Sequence, residues 1–217
     1  MMAGVKKFVA RTQLNRLRRQ MPSPTFQYPD VLRNTRKILI CLPGELRELT
    51  TIKQFLPEIR DLFKPATVTL LAMPGLQISD IFPRKGFNIL TPSADQLAWA
   101  GLASKSYIQF LRDYKFDVVM DLNLGASDFT SSILLSLPEA VRIGRGNHLG
   151  RPYYNLEIKT KYLRDERNIY RSLIETLRHL RDGQTQDEPE GSEEQAEQAV
   201  ARDDAFADRR NGVSEET

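Results

Sequence analysis

An α/β protein with a single parallel sheet is the fold this chain predicts, and three observations lead there. Short apolar runs rich in β-formers recur: "KILICL", "TVTLLA", "FNIL", "FDVVMDL" and "AVRIG". Stretches with apolar residues at helical spacing lie between them. The 217 residues are enough for one well-filled domain. Strands that alternate with helices imply a parallel sheet covered on both faces. Right-handed crossovers make such a sheet doubly wound, that is, Rossmann-like.

Residues 1–21 predict a basic amphipathic helix or arm. Ala10, Leu14, Leu17 and Met21 share one helical face, and Val5, Phe8 and Val9 fall on the opposite side. Two uses compete: a helix lying on an anionic membrane surface, or an arm or helix packed on the body by its Leu stripe. Residues 22–35 read as a linker, because "MPSPTFQYPD" carries three prolines.

The body, residues 36–181, opens with "KILICL" as a buried strand. Leu46, Leu49, Ile52, Leu56, Ile59 and Phe63 follow at helical spacing, and Pro57 either kinks that helix or starts a second piece. Strands are predicted at 67–72, where "PG" follows, and at 87–90. Helices are predicted over 104–115 and 126–137, the second with Ser127 or Asp128 near its cap. Between them, 116–122 is the strongest strand. Residues 140–144 and 153–159 supply two more strands. The segment 164–180 is an amphipathic helix on Ile169, Leu173, Ile174, Leu177 and Leu180. From 182 to 217 there is one aromatic residue and scarcely an aliphatic one, which predicts a disordered acidic tail.

Charge divides along the same boundaries. The net charge is +3, yet residues 1–20 carry six bases and no acid, whereas 182–217 carry twelve acids against three arginines. The single Cys41 cannot close an internal disulfide and fits a reducing compartment. No run approaches a membrane span, and no apolar core follows the basic head as in a secretory signal. The expected location is the cytoplasm, with peripheral attachment to the inner membrane face as an option for the head.

In doubly wound folds ligands bind beyond the carboxyl ends of the strands, where strand order reverses. Segments 42–51, 121–128 and 143–152 are therefore expected to build any site. "GRGNHLG", 144–150, is one residue too long for a dinucleotide fingerprint and leads into "RPYY" rather than a helix. There is no Walker A sequence and no G-x-S-x-G elbow. One cysteine and two distant histidines do not make an ordinary zinc site. No cofactor is expected. His148 has Arg142, Arg145 and Arg151 nearby, an arrangement that could form an anion pocket or an ordinary solvated loop. The basic residues of the body show no aromatic interleaving, so specific nucleic-acid binding is not expected.

Four segments in order, "RKILICLPGELRELTTIKQFLPEIRDLF", "ATVTLLA", "FDVVMDLNLGASDFTSSILLSLPEAVRIG" and the closing helix, resemble the amino-terminal half of family 9 glycosyltransferases. These heptosyltransferases build the inner core of lipopolysaccharide. Members show a strand, a turn like G-x-L-G-D-x-x-x-T-T-P and a helix, then D-x-V-I-D-L-Q-G with a Ser-containing helix, then an R-I-G strand. "FDVVMDLNLG" and "VRIG" match well. The resemblance implies half of a GT-B fold, the half that holds the sugar acceptor. Aligned without a gap, Gly44-Glu45-Leu46 takes the place of G-x-L and Arg47-Glu48 that of G-D, with Thr50 and Thr51 near the T-T. Glu48 then stands where the family has its proposed general base. Glu45 takes that place if Gly44-Glu45 is set on G-D. The resemblance also implies binding roles for Asp121, Asn123, Ser127 and Arg142.

The turn departs from the family pattern. Glu48 is one methylene longer than aspartate, and a misplacement of about 1 Å can cost about 100-fold in rate. Arg47 replaces a glycine and is expected to pair with Glu45 or Glu48, lowering its basicity. The competing reading makes Glu45, Arg47 and Glu48 an ordinary charged first helical turn. The family's donor-binding domain is not readable in this chain, so the leaving diphosphate lacks its usual electrostatic support. The expectation is a domain that transfers no sugar alone and acts as an acceptor half or as a binding or scaffold module, with a donor-domain polypeptide or a glycolipid acceptor as partner. The alternative is an α/β binding protein that docks on anionic membrane through its basic amino-terminal helix.

Overall fold

The computed structural model describes residues 2–22, 24–76, 78, 81–82, 86–146 and 149–183. Six strands form one sheet: β1 (Lys37–Cys41), β2 (Thr67–Leu71), β3 (Asn88–Leu90), β4 (Val118–Asp121), β5 (Val141–Arg145) and β6 (Leu156–Ile158). Every pairing is parallel, and the order across the sheet is β3-β2-β1-β4-β5-β6. This is the Rossmann-like order, reversing between β1 and β4. The register aligns Cys41 with both Leu71 and Asp121, so β1, β2 and β4 end at one level.

The described helices are α1 (Met2–Gln20), α2 (Tyr28–Arg33), α3 (Leu46–Lys53), α4 (Leu56–Leu62), α5 (Lys105–Tyr114), α6 (Asp128–Leu134) and α7 (Glu166–Asp182). Side chains alternate across a strand, so β1 feeds two cores. Ile38 and Ile40 pack with Leu32 of α2, Ile52 of α3, Ile59 of α4 and Leu177 of α7. Leu39 and Cys41 pack with Leu111 of α5 and Ile133 of α6. A sheet covered on both faces needs apolar residues at consecutive positions, which is why "KILIC" shows no polar alternation.

Local chemistry sets the helix ends. The hydroxyls of Ser104 and Ser127 accept from the amides of Tyr107 and Thr130, and the Asp165 carboxylate accepts from the Asn168 amide. Lys115 turns left-handed after α5, at φ 53°, and Gly183 does so after α7, at φ 78°. Pro57 starts a second piece: α3 ends at Lys53, and Pro57 lies in the first turn of α4, where its missing N–H is not needed.

Two segments differ from expectation or settle it. Residues 28–33 of the expected linker form α2, whose Leu32 is buried and whose Tyr28 hydroxyl donates to the Asn155 carbonyl at 2.6 Å. Pro29 in its first turn favours the helix rather than breaking it. Helix α1 packs on the body by its Leu stripe: Ala10 and Leu14 are buried against Leu102 and Leu135, with Leu17 and Met21 at the edge. Among the described residues no helix is long and apolar enough to cross a membrane. The tail expected to be disordered lies, from residue 184 onward, outside the described residues.

Candidate functional site

Beyond the ends of β1, β2 and β4 the molecule opens into a cleft of about 460 Å³. One wall is Gly44, Glu45 and Glu48, another is Asn123 and Gly125 to Phe129, and the remainder comes from Met73, Pro74, Leu97, Ala100 and Gly101. Two of the three expected segments therefore meet at the switch point. The third, 143–152, does not line this cleft.

The first wall follows from how β1 ends. The Leu42 amide still donates to the Leu71 carbonyl at 2.9 Å, and the chain then bends at Gly44 and Glu45. Glu45, extended, is the residue that precedes α3. Leu49 and Ile52 anchor that helix to the core and leave Glu45 and Glu48 on the cleft side, one turn apart. Gly44 has an ordinary φ, and a Cβ there would meet Met73 only at 3.4 Å. Arg47 is helical, so its position demands no left-handed backbone.

Glu48 is half-buried, and the Leu124 amide donates to its carboxylate. Desolvation raises its pKa. The neighbouring Glu45 and Glu166 push the same way, while the Leu124 hydrogen bond and Arg47 pull it down without prevailing. A carboxylate held this way accepts a proton more readily than a solvated glutamate, as a general base should.

The second wall is built from beneath. Asp121 is buried at the end of β4. Its Oδ2 accepts from the Tyr154 hydroxyl at 2.7 Å, and its Oδ1 accepts from the Asn123 amide at 3.0 Å and Asn123 Nδ2 at 2.6 Å. Asp121 thus positions Asn123, which lines the cleft, without lining it itself. Burial first, then the negative charge of Asp121, pushes the Tyr154 hydroxyl pKa up, so it remains a donor. The Tyr154 ring lies where a side chain at position 144 would go: a Cβ on Gly144 would come within 2.2 Å of it. The glycine of "RIG" serves this close approach. Ser127 caps α6 and donates to Met73 Sδ at 3.6 Å, tying the β2 turn to the same wall.

The other expected site residues lie elsewhere. Arg47 pairs with Glu166 at the start of α7, Nε to Oε1 at 3.0 Å, rather than with Glu45 or Glu48. Thr50 and Thr51 donate to carbonyls of their own helix, Leu46 and Arg47, and Thr51 also reaches Glu166 at 3.4 Å. None of the three lines the cleft. Arg142 is fully buried and donates to the carbonyls of Tyr153, Leu137, Pro138 and Pro152. Its guanidinium satisfies backbone groups and is committed to the fold, not to an external anion. Burial lowers its pKa to about 10, which leaves it charged at neutral pH. Arg145 is half-exposed at the end of β5, outside the cleft. His148 lies outside the described residues.

The cleft residues that sequence reasoning passed over are Met73, Pro74 and the 97–101 loop. The first two follow a strand and were accessible to the same carboxyl-end argument. The loop is held by a bridge between Leu97 and Ala103, for which no periodicity gives notice. Among the described residues no group of three His, Cys, Asp or Glu side chains is placed to hold a metal ion. No family model, characterised protein or solved structure matches this chain.

Proposed function

We propose that residues 36–181 are a sugar-acceptor module of the family 9 glycosyltransferase type, which transfers hexosyl or heptosyl groups only together with a donor-binding domain. The observation that carries this reading is the position of Glu48. The residue that aligns with the family's base lines the switch-point cleft, half-desolvated, opposite Asn123 and Ser127. A sugar hydroxyl bound there would give its proton to Glu48 as its oxygen bonds to the anomeric carbon of a donor. The anomeric carbon–phosphate oxygen bond would break, and the nucleoside diphosphate would leave. That departing charge needs cationic or amide donors facing the cleft from a donor domain. The reading goes with a cytoplasmic location and a glycolipid or oligosaccharide acceptor.

Thermal unfolding with added ligands tests it. Inner-core-type oligosaccharides should stabilise the chain, by about 2.7 kcal/mol at 100 times Kd. Glu48→Ala should weaken that stabilisation, and ADP- or UDP-sugars should give none. Stabilisation by nucleotide sugars alone, or by neither class, would overturn the proposal.

A further inference from the structure

Packing of α1 uses up the apolar stripe that sequence reading offered to a membrane. Ala10 and Leu14 face the body, and the opposite side of the amino-terminal half is bare. Met2, Val5 and Phe8 are 71%, 52% and 71% exposed. Trp99 is 56% exposed, and Lys6 Nζ lies 5.8 Å from its ring centroid, which sets Trp99 beside the first turns of α1. Lys6, Lys7 and Arg11 are exposed in the same turns of α1, and no acid occurs before Asp30. Large apolar side chains exposed together are a mark of an interaction site, unlike single ones scattered over a surface.

Apolar and cationic groups at one end of a molecule match the chemistry of an anionic bilayer. Phe and Val enter the acyl boundary, Trp favours the interface, and Lys and Arg meet the headgroup phosphates. A nucleic acid would use the charge and leave Met2, Val5 and Phe8 idle. We infer that the Met2–Phe8 turns of α1, together with Trp99, dock on an anionic membrane surface. This rests on α1 and does not depend on the sugar-acceptor reading. Trp99 lies within the 97–101 loop that contributes to the cleft wall, so docking sets that rim towards the lipid.

Trp99 is the single tryptophan and reports the event itself. The full chain is mixed with phosphatidylcholine vesicles, with and without about one-third phosphatidylglycerol. Expected are a blue shift of Trp99 emission, quenching by brominated acyl chains, and flotation, all with the anionic vesicles only. Phe8→Ala with Val5→Ser should lower partitioning about tenfold. Lys7→Glu with Arg11→Glu should lower it at least as much, since each basic residue near the surface contributes about fivefold. All four positions are exposed, and far-UV circular dichroism confirms that the variants fold. The inference is overturned if the chain binds neither vesicle. Equal binding to both vesicles would also overturn it, as would undiminished binding of the Phe8/Val5 variant.

Discussion

Glu48, the half-buried carboxylate of the cleft wall, carries a testable electrostatic cost. Its folded pKa lies above the ordinary 4.5, so the folded state holds the proton more tightly than the unfolded chain. The stability this contributes is full below 4.5 and is lost as pH rises through the raised folded value. Glu48→Gln keeps an oxygen to accept from the Leu124 amide and removes the charge. The variant is expected to be no less stable than the native chain at pH 7, with a flatter stability curve just above pH 4.5. Urea unfolding across the acid range checks this, and a clear loss of stability at pH 7 would show that Glu48 is a required structural ion. At this scale the sequence was legible where position along a strand end decides the outcome: Gly44, Glu45, Glu48, Asn123 and Ser127 all reach the cleft. It was not legible where side-chain direction decides. Thr50 and Thr51 fall on the wrong faces of α3, and Arg142 points among carbonyls that only the folded 137–153 segment brings together.

Among the elements, α1 is the one whose role depended on the rest of the molecule. Its two apolar faces are both readable in the sequence, but which one meets the body is set by Leu102 and Leu135. Leu→Ala in a filled core costs about 2–5 kcal/mol, and α1 rests on a small patch, so Leu14→Ala should cost about 2 kcal/mol. Amide exchange should then quicken along α1 while β1 and β4 remain protected. Equal loosening of the central strands would mean that α1 is part of the main core. Helix α2 illustrates the opposite case: proline density signals a linker, yet Pro29 sits where a helix accepts it and Leu32 gains a place against α7.

At the scale of the whole body, both helical layers share one sheet. Each strand of the centre sends side chains into both cores, so neither core survives loss of the other. Unfolding of the described body is expected to be one cooperative step, with near- and far-ultraviolet circular dichroism melting together. Separate transitions would show that the layers are independent. The same architecture places the cleft: parallel strands end together, and helices leave in opposite directions at the switch point between β1 and β4.

The order of residues alone determined the alternation of strands and helices, the parallel sheet and the end of it that carries a cleft. Those features follow from periodicity and from the handedness of crossovers, which act locally along the chain. Tertiary structure decided that Arg47 answers Glu166, that Tyr154 occupies the space over Gly144 to hold Asp121, and that α1 keeps Phe8 in the open. Each of these depends on segments distant in sequence meeting at ångström range, and no local pattern encodes such a meeting.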